Sequence, residues 1–236
     1  MKIDSEYSHR FAHEIVKETP ALRQMMQEIY DVIDSISDQQ ILDLQRSKYK
    51  SSKSISKSIN QLIREGLVDL GWTKESKIFK GEQYQNENAW ALDFAKSMKF
   101  FVHRMIDGIP QEMETEVGIA IEVAFNHGEA AAWNILKPVL AAELNHVEKE
   151  TSIGEGIGVL IVVSSQMESL GGFDGAVGNF DRYMKHLAVM RNQISVPMLI
   201  IALGAPSSFY IRRFPKNHPI AKDRGRSTGE IIERNS

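Results

Sequence analysis

The sequence predicts an α/β fold in which helices flank a central mixed β-sheet and the N-terminal part adds a helical layer. Three observations predict it. Apolar residues recur at helical spacing through residues 10–37, and short apolar runs alternate with helical stretches after about Ala91. Two of those runs, GIGVLIVVS and VPMLIIALGAP, are apolar throughout, as strands covered on both faces are. With 236 residues the chain can bury a continuous core and is read as a single domain. Within it, 1–90 forms the helical layer with a basic segment, 91–206 the α/β core, and 207–236 a basic, loop-rich tail.

In chain order, Phe11, Ile15, Leu22, Met25, Met26, Ile29, Val32 and Ile33 mark the first helical region, with a break at Pro20. A polar, basic stretch follows. Its second part, from Ser54 to about Leu70, reads as an amphipathic helix carrying Ile59, Leu62, Ile63 and Leu67. KFFVHRMID reads as a strand, GIPQEMETEVG as an acidic turn, and GIAIEVAF as an apolar strand. A helix is expected from roughly Ala130 to Val147, and a further helix from about Asp174 to Met190 separates the two fully apolar strands.

Composition narrows the function classes. Apolar content is 42%, charged content 25% and formal net charge −3, so a nucleic-acid surface has to be a local patch rather than a global excess. The absence of cysteine removes disulfides, thiolate zinc sites and cysteine nucleophiles, and fits a reducing cytoplasm. No stretch approaches the roughly 20 apolar residues that span a bilayer, so a cytoplasmic protein without a membrane partner is expected. The local patch is present: Arg46, Lys48, Lys50, Lys53, Lys57 and Arg64 occur with no acidic residue between Arg46 and Arg64, a pattern suited to phosphate contact or to a solvated face.

The chemistry-bearing feature is Asp107 followed by Glu122 in MIDGIPQEMETEVGIAIEV. Alternation places Ile119, Ile121, Val123 and Phe125 on one face, and Ala120, Glu122 and Ala124 on the other. A carboxylate at a buried surface needs a partner or a metal. If the two segments form an antiparallel hairpin, Asp107 can lie beside Glu122, and a hard divalent cation would relieve their repulsion. The competing reading is an edge or salt-bridged glutamate.

The residues around this pair resemble the BglII/BstYI branch of the PD-(D/E)XK nucleases. IAIEVAFNHGE resembles the catalytic strand of that branch, LKPVLAAELNHVEK its next helix, and GVLIVVSSQMES and VPMLIIALGAP its later strands. Upstream, NQLIREGLVDLGWTKES and YSHRFAHEI match in the same order, so the resemblance runs from Tyr7 to Pro206. It implies a restriction-endonuclease-like core. It also implies Mg²⁺-dependent hydrolysis of double-stranded DNA by a homodimer at a short palindromic site, and a cognate DNA methyltransferase in the host. By the same resemblance Asp107 and Glu122 are the metal-binding carboxylates and the Val123 carbonyl a further ligand. Glu114 and Glu116 compete for the role of first acid. The third catalytic position falls on Ala124, which departs from the family's Lys, Glu or Gln; Lys137, His127, Glu143 or water alone would have to supply that group. Asn126 and His127 fall where the family reads base edges, although Asn126 and Gly128 also suit a turn. Asp174, in GGFDGAVGN, falls near a second DNA-contacting loop and is equally a good helix N-cap. The alternative left open by Ala124 is an inactivated nuclease, or a non-cleaving DNA-binding regulator built around SISKSINQLIREGLVDLGW.

Overall fold

The structure is a computed structural model and describes residues 1–125, 128–143, 147–222 and 228–234. The chain opens with strand β1 (Ile3–His9), followed by helices α1 (Ala12–Glu18), α2 (Pro20–Ser35), α3 (Asp38–Ser47) and α4 (Ser56–Asp69). Pro20 occupies the first turn of α2, where its missing N–H costs nothing, so the expected break is a new helix start. The first half of the basic stretch is helical too: Ser37 and Gln40 close a reciprocal capping box at the start of α3.

Strand β2 (Thr73–Lys77) and a short helix α5 (Glu82–Gln85) lead into a long antiparallel hairpin of β3 (Ala91–Ile106) and β4 (Ile109–Val123). The segment expected as an acidic turn is therefore strand. The turn itself is the two residues Asp107–Gly108, both at positive φ, as a tight hairpin turn demands. Then follow α6 (Ala131–Ala142), β5 (Ile157–Val163), α7 (Ser165–Leu170), α8 (Phe180–Met190) and β6 (Met198–Leu203). The tail is more ordered than expected: β7 (Phe209–Phe214), a short α9 (Pro219–Lys222) and β8 (Thr228–Glu233), with β7 and β8 paired as an antiparallel ribbon.

Six strands form one mixed sheet in the order β1-β6-β5-β4-β3-β2, with β4, β5 and β6 parallel and the other neighbours antiparallel. Every residue of β5 and β6 is buried, because both sheet faces are covered. On one face, Val159, Ile161, Leu199 and Ile201 pack with Met25, Ile29, Ile59 and Ile63 of the N-terminal helices. On the other, Leu160, Val162 and Ile200 pack with Ile135 and Val139 of α6 and with Tyr183 and Leu187 of α8. Trp72 ties the layers together: it is buried and its Nε1–H donates to Glu28 of α2, which also pairs with Lys96 of β3. No helix among the described residues is long and apolar enough to cross a membrane.

Candidate active site

The hairpin register decides which carboxylates meet. From Ile106↔Ile109 to Phe94↔Ile121 the strands pair without interruption. Asp107 therefore sits in the turn, at the opposite end of the hairpin from Glu122, and the structure does not bring the two together. Glu114 and Glu116 lie along the same outer part of the hairpin, exposed, where they pair with Lys99 and Ser97. The residue opposite Glu122 is Asp93. Its N–H donates to Glu122 Oε1 at 3.3 Å, and its Oδ2 accepts from the Val123 N–H at 2.7 Å.

Glu122 lies on the sheet face that α6 covers, as its alternation with Ala120 and Ala124 requires. From that helix Lys137 reaches down, forms an ion pair with Glu122 Oε2 and donates to the Ala91 carbonyl at 3.0 Å. Gly158 makes this reach possible. A Cβ there would lie 2.8 Å from Pro138, so glycine lets α6 approach β5 one residue from Lys137. Ala124, the departure from the family pattern, is buried in the core beneath α6 and bears no polar group. The ammonium beside Glu122 comes from Lys137 of the helix above.

Burial raises the pKa of both carboxyls. Glu122 is pushed up to about 8, by burial first and by the neighbouring Asp93 charge second, with Lys137 opposing both. Asp93 is raised by burial, against the Val123 N–H and Lys137, with Glu75 adding to the rise. Burial also raises the Tyr183 hydroxyl, which accepts from Asn134 Nδ2 beside the pair. A buried Glu122 beside a half-buried Asp93, both with raised pKa values, is a pair that a hard cation would stabilise. Among the described residues no group of three or more His, Cys, Asp or Glu side chains could hold a metal. The oxygens on hand are those of the two carboxylates, while the Val123 carbonyl accepts from the Phe125 N–H at 3.2 Å.

Asp93 and Val123 open onto a cleft of about 570 Å³, whose walls include Lys48, Lys57, Arg64 and Lys74. The basic run accordingly divides. Lys48 and Lys57 line the cleft, Lys50 lines a separate pocket with Arg46, and Lys53 pairs with Asp174. Asp174 also lies 3.8 Å from Arg213, and it does not cap α8; Asn179 does, accepting from the Arg182 N–H at 3.0 Å. Glu143 follows the far end of α6 and accepts from Ser195, at the opposite edge of the parallel strands from Glu122. Asn126 and His127 lie outside the described residues.

Sequence reasoning missed Asp93, although a signal was present. Asp107–Gly108 is a strong two-residue hairpin turn, and Asp93 and Glu122 are equidistant from it, each fourteen residues away.

Two comparisons bear on this site, and a third gives nothing: no curated protein matches significantly. The solved structure of restriction endonuclease BglII complexed with a DNA 16-mer is similar over 99% of this chain and 100% of its own, with a TM-score of 0.58 and 15% identity, a likeness of fold. The family model described as restriction endonuclease BglII/BglIII matches residues 5–203. That match takes in most of β1, the helical layer, Asp93 and Glu122, and the last strand of the sheet, and the chain belongs to the BglII/BglIII restriction endonuclease family.

Proposed function

We propose that this chain is a type II site-specific deoxyribonuclease that hydrolyses double-stranded DNA with Mg²⁺. The observation that carries the proposal is the convergence of Asp93, Glu122 and Lys137, with Asp93 opening onto a cleft whose walls include Lys48, Lys57, Arg64 and Lys74. Asp93, Glu122 and the Val123 carbonyl would hold Mg²⁺, which when bound polarises a phosphodiester and makes its water acidic. Asp93 takes the place expected of Asp107.

The chain's own residues do the rest. Lys137 opposes the upward shift of Glu122 and fixes its orientation, and its ammonium stands in for the missing group at Ala124. An ammonium here can orient an attacking water and favour the negative charge that develops on the phosphate. Lys48, Lys57, Arg64 and Lys74 along the cleft suit the DNA backbone, whose contacts position the duplex. Lys53 and Asp174, paired to each other, are better placed to brace two loops than to read bases. Asn126 and His127, directly after the catalytic strand, remain the proposed base-reading residues. Two copies related by a two-fold axis would match a short palindromic site, each cutting one strand. Products are 5′-phosphate and 3′-hydroxyl ends with a four-base 5′ overhang, and the host is expected to carry a cognate methyltransferase and to keep the enzyme in the cytoplasm.

The test is digestion of unmethylated DNA by purified protein, in Mg²⁺ and in EDTA, alongside Glu122→Gln. Discrete fragments that require Mg²⁺ and vanish in the variant, with DNA binding retained, support the proposal. Tight binding by the wild-type chain with no cleavage in Mg²⁺ overturns it and favours a non-cleaving DNA-binding protein.

A further inference from the structure

Of the three converging side chains, Asp93 and Glu122 stand on strands and Lys137 on a helix, and little inside that helix fixes where its ammonium lies. A lysine is a point charge on a flexible four-carbon stem, so its place depends on where its backbone is held. Pro138 follows it directly, inside α6. A proline there has no N–H to donate and crowds the carbonyl one turn back, so the turns before it are tied less firmly to those after it. Gly158 brings α6 close to β5 at Pro138, but contact at one point does not set the angle at which the helix crosses β3.

That angle is set one turn earlier. Trp133 and Lys137, four residues apart, lie on the same face of α6. Trp133 Nε1–H donates to the Ala89 carbonyl at 3.0 Å, and Lys137 Nζ donates to the Ala91 carbonyl at 3.0 Å. The two side chains thus grip the chain entering β3 at carbonyls two residues apart, and Asp93 follows two residues further on. The Trp133 indole also meets Trp90 edge-on, with ring centroids 5.2 Å apart and planes at 83°. Trp90 is itself anchored. It packs against Phe79 at 5.7 Å and Tyr84 at 5.6 Å, its Nε1–H donates to Glu87 at 3.0 Å, and its carbonyl accepts from the Ile78 N–H at 2.9 Å. Trp133 is half-buried and is not among the residues that wall the cleft, so its part is played through a neighbour.

We infer that Trp133 is a positioning residue of the proposed site: it clamps the first turns of α6 to the entry of β3 and so holds the Lys137 ammonium between Glu122 and the Ala91 carbonyl. The inference rests on the nuclease reading for its effect on catalysis, and on the packing alone for its effect on Lys137. With the clamp released, Lys137 keeps its charge but loses its fixed place. An ammonium that orients a water or meets charge on a phosphate works only within a narrow range of position, so the loss falls on the chemical step rather than on DNA affinity. The ring carries most of the clamp. The bond from Nε1–H to Ala89 lies at the surface, where water replaces it at small cost. Trp133→Phe, which keeps an aromatic edge against Trp90, should therefore preserve it.

The experiment is acylation of lysine amines by acetic anhydride in the full chain, without metal or DNA, read residue by residue by mass spectrometry. Lys96 is the control, because it too is held by one carboxylate and one carbonyl, those of Glu28 and Leu70, but against α2 rather than α6. Trp133→Ala should speed labelling of Lys137 by roughly tenfold and leave Lys96 unchanged, with Trp133→Phe close to the wild type. If Trp133→Ala does not fold, Trp133→Leu reads the same comparison. Where the chain cuts DNA, Trp133→Ala should slow single-turnover cleavage by roughly ten- to a hundredfold with the half-saturating DNA concentration unchanged. It should add nothing to Lys137→Met, since the two changes act through one group. Unchanged labelling of Lys137, an equal rise at Lys96, or a loss of cleavage as large in the Lys137→Met chain as in the wild type would overturn the inference. Selective labelling of Lys137 in a chain that never cuts DNA supports the clamp and sinks the nuclease reading alone.

Discussion

At its open end the β3–β4 hairpin carries Asp93 and Glu122 beneath α6, and at its closed end it carries Asp107 in a two-residue turn. The same strand pair presents carboxylates at both ends, yet their surroundings are opposite: Glu122 is buried and Asp107 is exposed. Under α6, burial lifts the Glu122 pKa to about 8, with the Asp93 charge adding to the rise and Lys137 opposing it. In the turn, Asp107 adopts a left-handed backbone, which Asp tolerates and most residues do not. A carboxylate thus acquires chemistry from what covers it rather than from the strand that bears it.

The largest expected effect separates the two ends directly. Glu122→Gln and Asp93→Asn should each lower Mg²⁺-dependent cleavage by roughly 10³-fold with DNA binding kept, while Asp107→Asn should cut at the wild-type rate. A silent Asp93 variant or a dead Asp107 variant would reverse the assignment of the first acid.

Lys137 comes next. Lys137→Met should lower cleavage by on the order of 10²-fold. At pH 8 it should also cost about 3 kcal/mol of stability, because removing one partner strands a buried carboxylate. That cost should shrink at pH 5, where Glu122 takes up a proton. Denaturant melts at the two pH values check it, and equal costs at both would show that Glu122 carries no charge in the folded chain. Gly158→Ala should act through the same lysine. Lifting α6 off β5 at Pro138 should cost about 1–3 kcal/mol and lower the rate of cleavage more than the affinity for DNA.

The pH dependence follows from the sign of the Glu122 shift. A carboxyl whose pKa is raised on folding contributes stability that is present below its unfolded value of 4.5 and is lost as pH rises through about 8. Without metal, the chain should lose stability across that window, and Glu122→Gln should flatten the loss. With Mg²⁺ the direction reverses, since the cation competes with protons, so cleavage should rise from pH 6 toward pH 8. A flat profile would place the Glu122 pKa near its ordinary value. The smallest effect belongs to the turn: Asp107→Val should cost about 1–2 kcal/mol and leave the cleavage rate per folded molecule intact.

Much of this molecule was legible in the residues. The parallel strands β5 and β6 are unbroken apolar runs, and the Pro20 break and the α4 periodicity are local signals, so each could be placed without knowing its neighbours. Lys137 was legible as one of several substitutes for the group missing at Ala124. Other elements lack such signals. β1 has few apolar residues and exists because the edge of β6 offers it hydrogen bonds, and the outer half of β4 is strand only because β3 pairs with it.

What the sequence by itself determined is the set of candidates: a glutamate in an apolar strand, a lysine on the following helix, a basic run, and a turn dipeptide whose position already makes Asp93 and Glu122 equidistant. What only the tertiary structure decided is which of them meet. Register chose Asp93 over Asp107, the close approach of α6 over Gly158 chose Lys137 over Glu143, and the cleft took Lys48 and Lys57 while leaving Lys53 to Asp174. The physical reason is range. Propensity and periodicity act within a few residues, whereas these carboxylates and this lysine are joined by strand pairing and helix packing across long stretches of chain.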